Sequence, residues 1–318
     1  MTKPLQLYKS PRRNASCGSS KKSVQYSPQR RHPPWIKAKI PSGPNYTDLK
    51  GLMRNLHLHT VCEEARCPNI GECWEHRTAT FMILGDVCTR RCMFCAVTKG
   101  NPTQVDYDEP CRLGEAVGYL KLKHVVITSV NRDDLPDGGA SIFAACIEAS
   151  RRHSPGCTVE VLIPDLEGNW DALGVIIKAK PDILNHNTET VPRLYRRARP
   201  QAVYQRTLSL LQRSKELDGA TLTKSGLMVG LGEEMDELLQ TMQDIRDTEC
   251  DILTIGQYLS PTSRHLPIRR YYTPEEFEEF RAAGIEMGFR HVESGALVRS
   301  SYHAHEHAQL MDSESQTE

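Results

Sequence analysis

Six of the chain's eleven cysteines fall in two groups of three between residues 62 and 95. The second group, Cys88-Thr89-Arg90-Arg91-Cys92-Met93-Phe94-Cys95, has the spacing C-x3-C-x2-C, and thiolates three and four positions apart on a loop can converge on one centre. Soft sulfur donors select zinc, copper(I) or iron–sulfur clusters. Structural zinc is usually closed by four ligands, often as two C-x2-C pairs. Three thiolates with no evident fourth point instead to a [4Fe–4S] cluster with one iron left open for a substrate or cofactor. The first group is Cys62-x4-Cys67-x5-Cys73, a rarer spacing. The remaining cysteines (Cys17, Cys111, Cys146, Cys157 and Cys250) share no spacing and read as small buried residues or incidental thiols. An odd total without a signal-peptide pattern argues against a disulfide framework and for metal or redox chemistry in a reducing compartment.

Elements able to hold such groups follow from about residue 80. Short runs rich in Val, Ile and Leu predict strands at Thr80–Val87, His124–Val130, Thr158–Leu166, Asp182–His186, Leu222–Gly230 and Ile252–Leu259, each buried on both faces. Helical stretches separate them, among them Gly139–Arg152 and Met235–Cys250; the latter places Met235, Leu238, Leu239, Met242 and Ile245 on one stripe. Thr273-Pro274-Glu275-Glu276 is a capping box with proline at the first helical position, opening a helix to about Met287. Alternating β and α predicts a parallel sheet. Six strands fall short of a closed eight-stranded barrel, which leaves an open partial barrel or a doubly wound sheet.

Lys+Arg and Asp+Glu both number 40, but residues 1–45 hold ten basic residues and no acid. The rest therefore carries 30 basic against 40 acidic residues, a net of −10. An acidic body does not suggest nucleic-acid binding, and no apolar run reaches the roughly 18 residues of a membrane span. Residues 1–32 are polar and Pro-interrupted and predict a disordered basic tail. Such a start reads as a solvated tail of a bacterial cytoplasmic protein, with an organellar transit peptide as the alternative.

With the aromatic Phe94 before its last cysteine, the C-x3-C-x2-C run resembles the signature of the radical S-adenosylmethionine superfamily. Adding C-x4-C-x5-C just upstream makes the chain similar to the lipoyl synthase family. The resemblance runs through Ala65–Asn69, Gly71–Trp74, Thr128–Leu135, Asp137–Ala140, Glu160–Asp165, Asn185–Thr190, Gly256–Leu259, Pro261-Thr262 and Arg299-Ser300-Ser301-Tyr302, and covers roughly residues 33–305. It implies a partial (β/α)6 TIM-like barrel over 80–290. An extension over 33–79 would carry an auxiliary cluster, and a closing segment over 291–318 would carry the RSSY motif.

It also implies two [4Fe–4S] clusters and S-adenosylmethionine. Cys88, Cys92 and Cys95 would hold the radical-generating cluster. Cys62, Cys67, Cys73 and the oxygen of Ser301 would hold a second one whose sulfides are consumed. A serine oxygen is a harder, poorer match to iron than a thiolate, which suits a cluster that must open. The implied reaction puts sulfur at the unactivated C6 and C8 of an octanoyl chain amide-linked to a lysine of a carrier domain. The implied partners are 2-oxoacid dehydrogenase E2 subunits, the glycine cleavage H protein, and a low-potential electron donor such as ferredoxin or flavodoxin. Such C–H bonds defeat acid–base chemistry, so a cofactor must do the hard step.

Other residues are less telling. Asn131 and Asp133 follow the second strand, and Asn187 and Glu189 the fourth, where parallel α/β folds place ligands. They are candidates for the amino acid and ribose parts of S-adenosylmethionine, against a turn-forming reading. Gly230-Leu231-Gly232-Glu233 backs the adenosine or merely turns strand into helix. His303, His305 and His307 read as a polar tail before a metal site. Three rivals stand beside the lipoyl synthase reading. A two-cluster ferredoxin would fill all its sites with Cys, a zinc-stapled module would lack iron, and a biotin synthase would leave C-x4-C-x5-C unexplained.

Overall fold

The computed structural model describes residues 32–302 and 304, apart from 77, 79 and 103. Its strands are β1 (His59–Thr60), β2 (Thr80–Ile83), β3 (Val87–Cys88), β4 (Thr98–Lys99), β5 (His124–Ser129), β6 (Thr158–Leu162), β7 (Ile183–Asn185), β8 (Leu222–Val229), β9 (Ile252–Gln257) and β10 (His291–Gly295). Eight of them form one sheet in the order β1-β2-β5-β6-β7-β8-β9-β10. Every pairing from β2 to β10 is parallel, while β1 caps the β2 edge in antiparallel fashion. A parallel order that never reverses lays every right-handed crossover on the same face, so the sheet curls into a barrel rather than a doubly wound layer. β1 and β10 end the sheet unpaired with each other, so the barrel is open.

Alternation along the strands divides the two faces. Val125 and Ile127 of β5 pack against Leu113 and Val117 of the helix Glu109–Leu120, and against Phe143 and Ile147 of the helix Ala140–His153. Leu227, Val229, Leu253 and Ile255 meet Met242 and Ile245 of the helix Met235–Arg246 and Phe277 and Phe280 of the helix Pro274–Glu286. The opposite face of the same strands carries a buried polar layer. The Lys224 ammonium lies 2.9 and 3.1 Å from the Glu160 carboxylate oxygens, and Asn185 Nδ2 donates to Glu160 at 3.0 Å. All three are fully buried, so each charge survives by its partner.

The capping box at Thr273 and Glu276 opens its helix as its sequence predicts, and Glu234 with Glu237 forms a second one. Two expectations change. The first strand stops at Ile83, because Leu84 and Gly85 take positive φ (68° and 89°) and turn the chain toward the cysteine loop. A seventh parallel strand, β10, extends the sheet beyond residue 290. Its sequence, His-Val-Glu-Ser-Gly, has one apolar residue, Val292, for the helix-facing side and polar residues on the other. Cys146, Cys157 and Cys250 are buried singly and Cys111 is exposed. Cys17, His303, His305, His307 and the basic tail over 1–31 lie outside the described residues.

Candidate active site: two cysteine groups on an open parallel barrel

The candidate residues follow the carboxyl ends of successive parallel strands: Cys88 and Cys92 after β2, Asn131 after β5, Asn187 and Glu189 after β7, and Ser300 and Ser301 after β10. This is the end at which parallel barrels build sites, because their helices return the chain to the other end.

The loop carrying Cys88, Cys92 and Cys95 starts and ends in the two-stranded β3–β4 ladder, which pairs Val87 with Thr98 and Cys88 with Lys99. Its interior is fixed by foreign groups. Asn131 N–H donates to Cys88 Sγ at 3.3 Å, Met93 N–H to Ala198 O at 2.8 Å, and His265 Nε2 lies 3.0 Å from Cys95 O. Burial pushes the Cys95 thiol up to about 12, and Cys88 and Cys92 add to that rise. Burial also raises Cys92, against a lowering by the Arg199 cation. Thiols so placed become thiolates readily only where a cationic centre shares their cavity. An iron–sulfur cluster is such a centre, so the donors fit it.

Arg90, between the first two cysteines, is the loop's anchor, and its charge concealed that role in the sequence. Only 3% exposed, it donates to both oxygens of Asp133 (2.8 and 2.9 Å) and to Asp165 at 2.5 Å. Arg206 reaches the other Asp165 oxygen at 3.1 Å. Burial alone would raise the Asp165 carboxyl, but the Arg90 hydrogen bond and charge hold it well below the usual carboxylate range. Asp133, a candidate from the sequence for the amino acid part of the cofactor, is engaged by Arg90. One oxygen also accepts from Thr89, so the carboxylate fastens the loop.

On the β7 side, Glu189 sits at φ 72° with its backbone tied to β8 by Glu189 N–Gly226 O and Met228 N–Glu189 O, both 2.8 Å. Burial raises its carboxyl, while Arg199 opposes the rise. Asn187 donates to Glu189 at 3.2 Å and exchanges hydrogen bonds with the Ser300 hydroxyl at 2.7 and 3.0 Å. Gly226 leaves room for it: a Cβ there would stand 2.6 Å from Asn187 Oδ1. Arg199 escaped the sequence reading. It donates to Asn187 O at 2.8 Å, and its Nε is buried without a partner, as is Asn131 Oδ1. Buried unpaired polar atoms of this kind are where a polar ligand belongs. Glu233 instead accepts from the N–H groups of Gly230, Leu231 and Gly232 and from the Tyr272 hydroxyl, so that motif is a strand-to-helix turn.

The other cysteine group is built by two short helices, Val61–Glu64 and Ile70–Glu75, the first capped by Thr60. Cys67 N–H bonds Cys62 O at 3.0 Å and Cys73 N–H bonds Asn69 O at 2.9 Å, so the three cysteines fold into one unit. Burial, reinforced by the neighbouring Cys67 sulfur, pushes Cys62 and Cys73 up to about 12. The C-terminal segment comes back to this unit. Asn69 Nδ2 donates to Leu297 O at 2.7 Å, the half-buried Arg299 faces Cys67, and Thr80 Oγ1 donates to Ser301 Oγ at 2.8 Å. Thr80 N–H in turn faces the Cys62 sulfur. Ser301 is thus beside the group, one residue from Cys62 through Thr80. Three soft donors and an adjacent oxygen, crowded out of water, fit an iron–sulfur cluster as the first loop does. Among the described residues no three His, Cys, Asp or Glu side chains close around a single metal ion. An open groove of about 700 Å³ lies elsewhere, along Pro44, Thr47, Gly51, Leu52 and Tyr119.

Comparison with known proteins agrees with this geometry. Residues 82–245 match the radical SAM superfamily model, and residues 9–67 match the N-terminal domain of lipoyl synthase of the radical SAM family. The chain is 64% identical over 274 residues to the lipoyl synthase of Rubrobacter xylanophilus, covering 86% of this chain and 85% of that protein. It is 61% identical over 276 residues to that of Koribacter versatilis, covering 87% and 91%. Among solved structures, SuiB of Streptococcus suis bound to S-adenosylmethionine shares the fold (TM-score 0.54, 10% identity, 80% of this chain and 56% of that one). So does the [FeFe]-hydrogenase maturase HydG (TM-score 0.53, 16% identity, 66% and 50%). Two cysteine groups on an open parallel barrel, and identities of this size over most of the chain, place it in one family: the chain belongs to the lipoyl synthases of the radical S-adenosylmethionine superfamily.

Proposed function

We propose that this enzyme inserts two sulfur atoms at C6 and C8 of an octanoyl group held on a lysine of a carrier domain. Cys88, Cys92 and Cys95 hold one [4Fe–4S] cluster, and Cys62, Cys67, Cys73 and Ser301 hold the second. When bound, the first cluster with S-adenosylmethionine supplies a radical able to break unactivated C–H bonds, and the second supplies the sulfur.

The observation that supports this reading is the return of the C-terminal segment to the first cysteine group and, one residue earlier, to Asn187. Ser300 bonds Asn187 on the cofactor side, while the next residue, Ser301, bonds Thr80 beside Cys62. Consecutive residues of one segment therefore reach Asn187, the cofactor-side candidate, and the neighbour of Cys62. Arg199, with its unpartnered Nε, holds the carboxylate of S-adenosylmethionine. Asn131 offers its buried carbonyl oxygen to the amino group, and Glu189 with Asn187 takes the ribose. Arg90, through Asp133 and Asp165, keeps rigid the loop whose cysteines would hold the first cluster. Burial of these groups excludes water and so protects a reactive radical from quenching.

The partners are octanoylated carrier domains, namely 2-oxoacid dehydrogenase E2 subunits and the glycine cleavage H protein, and a ferredoxin or flavodoxin as reductant, in a bacterial cytoplasm. No helix of the described residues is long and apolar enough to cross a membrane. The test is iron analysis after anaerobic reconstitution. About eight irons per chain are expected for two [4Fe–4S] clusters, whereas zinc without brown colour would end the proposal.

A further inference from the structure

Among the acid-free stretches of the chain are 87–105, 190–215 and 252–274. Together they hold thirteen Lys or Arg, in a body that otherwise nets strongly negative. The fold brings all three to one place, the loop of Cys88, Cys92 and Cys95. Arg91 N–H bonds Gln201 Oε1 at 2.8 Å and Met93 N–H bonds Ala198 O at 2.8 Å, which joins the second segment to the loop. Leu266 N–H bonds Met93 O at 3.1 Å and His265 reaches Cys95 O, which joins the third.

Several of these cations have work inside the molecule. Arg90 and Arg206 hold Asp165, Arg193 pairs with Glu237, Lys215 with Asp251, and Arg270 with Glu276. Six others, Arg91, Lys99, Arg196, Arg197, Arg264 and Arg269, are exposed. None of the six has an acidic partner among the described residues. Lys99 donates to the carbonyl of Cys92, so its charge sits on the loop itself. Met93, next to Cys92, is 37% exposed in their midst.

From this collar we infer that the exposed face of the Cys88–Cys95 loop is the docking surface for an acidic electron-transfer protein. The inference rests on the proposed role of those cysteines. An electron donor has to approach that cluster: one electron leaves the donor, which is oxidised, and reduces the cluster. A carrier domain offers its acyl chain on a long lysine arm and has no need to abut this loop. Electron-transfer encounters are small, polar and electrostatically steered, and unpaired surface cations around one apolar side chain match that description. Outside these three segments, residues 46–318 net strongly negative and repel an acidic redox partner, which favours this face of the body.

The test uses the reconstituted holoenzyme and the triple variant Arg196→Glu, Arg197→Glu, Arg264→Glu, whose side chains touch neither cysteine group. With reduced flavodoxin as donor, the variant should show an increase of about tenfold or more in the KM for flavodoxin during 5′-deoxyadenosine formation at low salt. That gap should shrink as salt screens the wild type. With dithionite, which needs no docking, both proteins should form 5′-deoxyadenosine at the same rate. Titration calorimetry with oxidised flavodoxin, which needs no turnover, should show the same loss of affinity. Unchanged flavodoxin KM and affinity would overturn the inference. So would a rise confined to the KM for an octanoylated lipoyl domain under dithionite, which would give the surface to the substrate carrier. If the wild type makes no 5′-deoxyadenosine with either reductant, the proposed function fails, and the calorimetric titration still decides the docking surface.

Discussion

Each proposed iron ligand makes a separate demand on chemistry. Cys92 is one of three thiolates on its loop, and no fourth protein donor follows from the sequence around it. Cys92→Ala should abolish 5′-deoxyadenosine formation, while iron content falls by roughly half because the other cluster keeps its ligands. Undiminished 5′-deoxyadenosine from the purified variant would contradict the assignment. Ser301 makes a subtler demand. Its oxygen accepts from Thr80, and as an iron ligand it would be harder and weaker than sulfur. Ser301→Cys should therefore keep both clusters loaded and still cleave S-adenosylmethionine, yet give little or no lipoyl product, because a thiolate holds the iron that must detach. Mass spectrometry of the carrier peptide reads this directly, and wild-type product from Ser301→Cys and Ser301→Ala alike would remove Ser301 from the ligand set.

At the scale of elements, the loop between β3 and β4 depends on a buried ion network rather than on its own backbone. Arg90→Met would leave Asp165 fully buried with Arg206 as its remaining cationic partner. Removing one member of a buried pair costs on the order of 3–5 kcal/mol, so the variant should unfold at markedly lower denaturant concentration, and a change below about 1 kcal/mol would argue against the clamp. Thr273→Ala, which removes a helix cap, should cost about 1 kcal/mol. What the sequence displayed at this scale follows the physics of exposure. The cysteine groups were legible because soft donors at fixed spacing have few other uses, and the cap at Thr273 because its side-chain bonds are local. Arg90 and Arg199 were not, since a charged residue near a loop reads as solvated until the fold buries it. The anchoring role of Asp133 was hidden for the same reason: its partner Arg90 lies 43 positions away in the chain.

The whole molecule shows the same division. The helix-facing sides of the strands are apolar and announce themselves, whereas the interior of the barrel is polar. β10 was missed because its inward residues are His291, Glu293 and Gly295, which no hydrophobic pattern marks. The Glu160–Lys224 pair lies in that interior, joined to Asn185, and Lys224→Met should destabilise by about 3–5 kcal/mol by leaving the buried Glu160 with only Asn185 and His124 beside it. Adding Glu160→Gln should recover much of that loss, since an amide carries no charge to desolvate. A double variant no more stable than the single one would show that packing, not charge, governs the layer.

All these scales converge on one reaction, and one measurement addresses it. The protein, reconstituted anaerobically with iron and sulfide, is incubated with an octanoyl-lysine peptide, S-adenosylmethionine and dithionite, and the peptide is analysed by mass spectrometry. The expected result is a peptide that has gained two sulfur atoms, with 5′-deoxyadenosine formed alongside it, and a Cys67→Ala variant that still makes 5′-deoxyadenosine but no sulfur-bearing peptide. Abundant 5′-deoxyadenosine from the wild type with a peptide that gains no sulfur, or normal sulfur insertion by Cys67→Ala, would contradict the account.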